Sequence, residues 1–161
     1  MYLNEAAMVS EFVARVLDNP IIPWGGVRVA TEFNYPRGRT DVLMQTESGD
    51  LVAVEAKMHK WRQAVDQAYR NTSFADFSYV LVPKPVADRA VCFEDEFAAR
   101  SVGLCSIEDG QIVIHILARR YGPLQPWLSD RAHDYINGEG EDAHRYQSDS
   151  CCTGDMPEER L

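Results

Sequence analysis

The sequence predicts an α/β fold, a mixed central β-sheet flanked by helices, and three observations carry that prediction. The chain opens with an apolar stripe at helical spacing. Three extended segments separated by tight-turn residues follow, and after them helix-like and strand-like stretches alternate. Hairpin-linked strands must pair antiparallel, whereas strands joined through a helix return parallel, so the two halves together require a mixed sheet with helices on its faces.

Each element has a local reason. Asn4 is placed to cap a first helix running to about Leu17, where Asp18-Asn19-Pro20 stops it. Val9, Phe12, Val13, Val16 and Leu17 form its inner face. Glu5 falls about 40° from Val9 at 100° per residue, so its carboxylate points inward, where it needs a cation or a metal. Pro23-Trp24-Gly25-Gly26 turns the chain into a β-rich strand from Val27 to Tyr35. Pro36-Arg37-Gly38-Arg39 turns it again, into a strand from Thr40 to Thr46. Ser48-Gly49-Asp50 is a hairpin signal before a third strand, Leu51 to Met58. A helix over Trp61–Asn71 keeps Trp61, Ala64, Val65 and Ala68 on one face, and Phe77–Val82 is a short buried strand ending at Pro83. Residues 86–101 read as one helix with Val86, Ala90, Phe93, Phe97 and Ala98 inward. Strands from Gly103 to Ile107 and from Gln111 to Leu117 flank the turn Glu108-Asp109-Gly110.

A chain of 161 residues is expected to form one domain, here 1–122, with 123–161 as an appendage. Within the appendage Trp127–Ile136 forms a short amphipathic helix, and the Gly-, Ser- and acid-rich stretch beyond Asn137 is expected to be poorly ordered. No apolar run approaches the ~20 residues that span a bilayer. The first residues lack a basic-then-apolar leader, so the expected location is cytoplasmic, with no membrane partner. Cys92 and Cys105 are read as small buried apolar groups, and Cys151-Cys152 as reduced thiols. With no C-x-x-C pair, no structural zinc is predicted.

The net charge of −9 argues against a broad surface for duplex DNA. That charge is uneven: residues 1–122 hold 13 Lys/Arg against 16 Asp/Glu, and residues 123–161 hold 3 against 9. Much of the acidity is therefore remote from the predicted core, and acids within the core become candidate ligands.

The chemistry-bearing residues sit where the second and third strands meet. Glu55 and Lys57 alternate onto one face of the third strand, behind the apolar run Leu51-Val52-Ala53-Val54. Pairing through the Ser48-Gly49-Asp50 turn brings Asp41 level with them. Asp41, Glu55 and the backbone carbonyl of Ala56 then offer three oxygens to a hard cation such as Mg²⁺ or Mn²⁺, with Glu5 as a further acid. Lys57 is placed to orient or deprotonate a water for attack on a phosphodiester. Arg37 and Arg39 flank Asp41 and can contact phosphate, as can Lys60 beside the site. Each is equally readable as a solvated turn or helix-start residue. Arg62, like Lys60, can guide substrate or merely solvate the helix start, while Glu32 as a further ligand and His59 as an assisting group are read more simply as surface groups.

Thr40-Asp41-Val42, Val54-Glu55-Ala56-Lys57 and the helix bearing Gln63, Gln67 and Tyr69 resemble the PD-(D/E)xK nuclease superfamily, over roughly residues 4–118. Thr40 stands where the family name has proline. The resemblance implies a restriction-endonuclease-like core. It also implies a divalent-metal-dependent nuclease acting on nucleic acid, most readily DNA, with Asp41, Glu55 and Lys57 in the site. The helix residue Gln67 would support them, and Glu5 corresponds to the acid of the first helix. Resolvase-like members act as dimers, which leaves a homodimer open by analogy. Two rivals remain: an RNA-directed nuclease, and a catalytically silent relative serving as a protein-interaction module. The acidic end can also be read as a phosphate mimic that inhibits the site.

Overall fold

The computed structural model describes residues 2–21, 23–138 and 144–146. Asn4 caps α1 (Glu5–Asp18), its Oδ1 accepting from the Ala7 amide at 2.9 Å. Then follow β1 (Val27–Tyr35), β2 (Gly38–Thr46), β3 (Leu51–Ala56), α2 (Trp61–Asn71), β4 (Phe77–Pro83), α3 (Lys84–Ala90), α4 (Glu94–Ala98), β5 (Val102–Glu108), β6 (Gln111–Ile116), α5 (Pro126–Asn137) and the short β7 (His144–Tyr146). The sheet order is β6-β5-β4-β3-β2-β1-β7. β3, β4 and β5 are parallel, and every other neighbouring pair is antiparallel. The predicted mixed sheet flanked by helices is what forms.

All six residues of β3 are buried, as befits an interior strand with helices over both faces. On one face α1 packs Met8, Phe12, Val13 and Val16 onto Val42, Met44, Val52, Val54 and Leu81. On the other, α2, α3 and α4 cover Val80, Val82 and Leu104, and α5 sets Leu128, Ala132 and Ile136 on Ala30, Leu43 and Ala53.

Three local expectations need correction. The helix over 86–101 is broken into α3 and α4 by a 3-10 turn at Val91–Phe93. Phe93 leaves helical geometry at φ −110°, ψ 38° and swings outward, so it is 45% exposed and lies against Trp61, while Phe97 stacks on Trp61 from within the core. Ala98 is exposed as well. Cys92 shares the outward turn and is exposed, whereas Cys105 is buried as expected. The short β7 lies in the stretch expected to be poorly ordered and pairs with Val29–Thr31. The rest of that expectation, including Cys151 and Cys152, falls outside the described residues.

Plain alternation also fails in β1. Val27 and Val29 belong to the α1-side core, but Phe33 and Tyr35, at the same odd positions, belong to the α5-side core. The switch occurs at Glu32, whose φ is +58°, and the β1–β2 ladder passes from Thr31↔Val42 to Phe33↔Thr40 without pairing Glu32 to Asp41. Left-handed backbone at a non-glycine residue costs roughly 1–3 kcal/mol and tends to gather at functional sites.

Candidate active site

The β2–β3 register fixes the centre of the site. Val42 pairs with Val54, so the next rung sets Asp41 opposite Glu55. Oδ2 of Asp41 accepts from the Ala56 amide at 2.9 Å, which pins its carboxyl beside that of Glu55. The Lys57 amide donates to the Leu81 carbonyl at 3.0 Å, carrying the β3–β4 pairing one residue past the strand and placing Lys57 at its carboxyl end. Open α/β sheets bind ligands at the carboxyl ends of their parallel strands.

Glu55 is only 3% exposed. Burial pushes its carboxyl well above the usual carboxylate range, the neighbouring Asp41 carboxyl pushes it further, and Asn71 and Lys57 pull partly the other way. Two acids in contact, one of them desolvated, cannot both ionise cheaply without a nearby cation. Lys57 is half-buried and forms no ion pair within 4 Å among the described residues.

Beneath Glu55 lies a polar cluster that the sequence reading missed. Asn71, at the end of α2 and fully buried, donates from Nδ2 to Glu55 Oε1 at 2.9 Å. Its Oδ1 accepts from the Tyr35 hydroxyl at 2.7 Å and from Thr40 Oγ1 at 2.9 Å. Burial and the neighbouring Glu55 raise the Tyr35 phenol to about 12, so it stays a donor throughout the neutral range. A signal was present. Asn71 lies about 20° from Ala64 on the helical wheel, so a polar amide continues the apolar stripe of α2.

Glu5, half-buried at the start of α1, lines a cleft of about 410 Å³ together with Ala6, Ser10, Glu32, Arg39 and Asp41. α1 thus borders the same cleft as Asp41, with Glu5 half-exposed there and not turned into the core. Among the described residues, however, no three His, Cys, Asp or Glu side chains are grouped as a ready metal cage. What Asp41 and Glu55 offer is a pair of hard oxygen donors. That set suits a small divalent ion that keeps much of its water, and does not suit a soft metal.

The remaining predicted residues are spread around this centre. Arg39 is exposed and 3.7 Å from Glu32, and Arg37 is exposed on the β1–β2 hairpin. Lys60 and His59 are exposed just before α2. Arg62 pairs with Glu96 and lies over the rings of Trp61 and Phe93, so its guanidinium is engaged in packing. Gln67 sits on α2 one turn before Asn71, with a buried Oε1 that has no hydrogen-bond partner among the described residues.

No family model matches this chain, and no curated protein matches it in sequence. Two solved structures are similar in shape. A repair endonuclease from Pyrococcus abyssi superposes with a TM-score of 0.40 at 13% identity, over 71% of this chain and 46% of that one, a likeness too slight to argue from. A protein of unknown function from Silicibacter pomeroyi superposes with a TM-score of 0.61 at 18% identity, over 86% of this chain and 88% of that one, and the two share a fold.

Proposed function

We propose that this chain is a divalent-metal-dependent nuclease that hydrolyses DNA phosphodiester bonds at Asp41, Glu55 and Lys57. The observation that carries the reading is the buried Glu55 carboxyl held against Asp41, with Lys57 two residues on, just past the end of the strand. Such an arrangement is unfavourable for folding alone and becomes favourable once a cation shares it.

Mg²⁺ or Mn²⁺ would be held by the carboxylates of Asp41 and Glu55 with the Ala56 carbonyl, with Glu5 as a further acid on the cleft that Asp41 lines. Bound there, the ion supplies Lewis acidity toward a phosphoryl oxygen. The protein's own groups supply position and charge. Asp41 is fixed by the Ala56 amide and Glu55 by Asn71. Lys57 puts a positive charge where the phosphoryl group gathers negative charge and can hold the attacking water. Gln67 offers an unused buried acceptor. Arg37, Arg39 and Lys60 are the exposed cations placed to take backbone phosphates.

The deciding experiment is cleavage of linear, circular and branched DNA with Mg²⁺ or Mn²⁺, with RNA as a competing substrate and Glu55→Ala and Lys57→Ala run beside the wild type. Metal-dependent cutting lost in both folded variants supports the reading. Wild-type protein that cuts nothing, with no shift in melting temperature on adding metal, would leave the interaction module in its place. The surface favours that second reading in one respect. Leu117, Tyr121, Leu124 and Trp127 are all about half exposed or more, in one short stretch of a chain of net charge −9.

A further inference from the structure

We infer that Asn71 is the positioning residue of the site: its amide, clamped by Tyr35 and Thr40, locks Glu55 in the rotamer that presents its second carboxyl oxygen to the metal. The inference rests on the nuclease reading and extends its Asn71–Glu55 contact with a role for Tyr35 and Thr40, which that reading does not use.

Hydrogen-bond direction fixes how the amide lies. An asparagine amide can sit either way round, with oxygen or nitrogen toward a given neighbour. Here the two neighbours on one side are hydroxyls, the Tyr35 phenol at 2.7 Å and Thr40 Oγ1 at 2.9 Å, and both can donate. With two donors on Oδ1, the nitrogen is left facing Glu55 Oε1 at 2.9 Å, where it donates. Against the ionised Glu55 that a metal requires, the reversed amide would set oxygen against carboxylate oxygen. Glu55 Oε1 is thereby occupied, and its other carboxyl oxygen is left to the site.

All four members come from different elements: Tyr35 from β1, Thr40 from β2, Glu55 from β3 and Asn71 from α2. The cluster therefore fixes the carboxyl against the whole β1–β2–β3–α2 unit. Asn71 is 0% exposed and Thr40 is 0% exposed, so water does not substitute for either. Partners that orient a ligand in this way typically contribute about 10–100-fold to metal affinity or rate.

The test is calorimetric Mn²⁺ binding and Mn²⁺-dependent cleavage by Asn71→Ala and by the double variant Tyr35→Phe/Thr40→Val, which removes the clamp and leaves Asn71 and Glu55 in place. Ser106→Ala is the control, since it loses a part-buried hydrogen bond to His115, between strands β5 and β6. The expected result is a Mn²⁺ Kd weakened about 10–100-fold in Asn71→Ala and about 3–10-fold in the double variant. Ser106→Ala should be unchanged, and cleavage by the weakened variants should be recovered by raising Mn²⁺. Wild-type affinity in folded Asn71→Ala overturns the assignment and leaves the nuclease reading standing. If that variant does not fold, wild-type affinity in the double variant does the same. A wild-type chain that binds no Mn²⁺ overturns the nuclease reading, and the assignment with it.

Discussion

Glu55 is where burial and charge pull in opposite directions. Its carboxyl in the folded chain ionises well above the ordinary value near 4.5, because burial and Asp41 both disfavour the charge. Below that ordinary value folded and unfolded chains are both protonated, and nothing is lost. As pH rises past about 4.5 the unfolded chain sheds its proton while the folded one keeps it, so stability falls until the raised folded value is passed. Metal-free protein should therefore melt at progressively lower temperature from about pH 5 upward. Glu55→Gln keeps the acceptor for Asn71 and should flatten that slope. It should raise Tm at pH 8 by several degrees, since each kcal/mol is worth about 2–4 °C in a chain of this size. A scanning-calorimetry series with and without Mg²⁺ checks both statements, and an unchanged slope in the variant would place the pH dependence elsewhere. In cleavage assays Lys57→Ala should lose about 100-fold or more in kcat while folding normally. Asp41, Glu55 and Lys57 were legible in the sequence because strand alternation and one tight turn dictate their meeting. Asn71 was not, because a reading weighted toward charged residues passes over a neutral amide even when it sits squarely in an apolar stripe.

At the scale of the element, β1 shows where a period-two reading runs out. Its ends were predicted correctly from Val27 to Tyr35, and every odd position is buried as alternation requires. Yet the strand changes core halfway, through the left-handed backbone of Glu32. Nothing in the string Val-Arg-Val-Ala-Thr-Glu-Phe-Asn-Tyr marks the change, since burial on either face gives the same pattern of apolar residues. The twist also has a support from outside the strand: the Tyr135 hydroxyl of α5 donates to the Thr31 carbonyl at 2.5 Å. Glu32→Val should then be destabilising by about 1–3 kcal/mol, although valine is the better strand former, because a β-branched residue resists positive φ. Glu32→Gly, free of that penalty, should stay near wild type. Urea midpoints of the two variants measure the difference, and equal midpoints would mean the strand can relax to ordinary geometry. The break in the predicted helix over 86–101 has a similar origin. Helical spacing locates Val86, Ala90 and Phe97, but the contact of the outward Phe93 with the ring of Trp61 is a tertiary matter.

The whole molecule is tied together across the end of the sheet away from the site. After β6 the chain must travel from one sheet edge to α5, which lies over β1 and β2 near the other. Residues 119–125 make this passage by bonding to the loop before β4: the Tyr121 amide to the Asp76 carbonyl, Leu124 to Thr72 and Gln125 to Ser73. Arg120 reinforces it, reaching Asp50 at 2.8 Å and Asp76 at 3.0 Å and lying over the Phe77 ring. The fit is so close that a Cβ on Gly122 would meet the carbonyl oxygens of Thr72 and Ala75. Gly122→Ala should cost about 3 kcal/mol in a chemical denaturation measurement, with a normal midpoint as the result that would count against so tight a passage. This architecture also has a temporal side. The contacts of α5 and its approach join residues far apart in the chain, such as Arg120 with Asp50 and Tyr135 with Thr31, and closing such large loops is slow. As the polypeptide leaves the ribosome, the strands that hold Asp41, Glu55 and Lys57 emerge first. The belt that secures Thr31, next to the cleft, follows later, so a nascent chain can assemble its acidic pair before its sheet has been buckled shut.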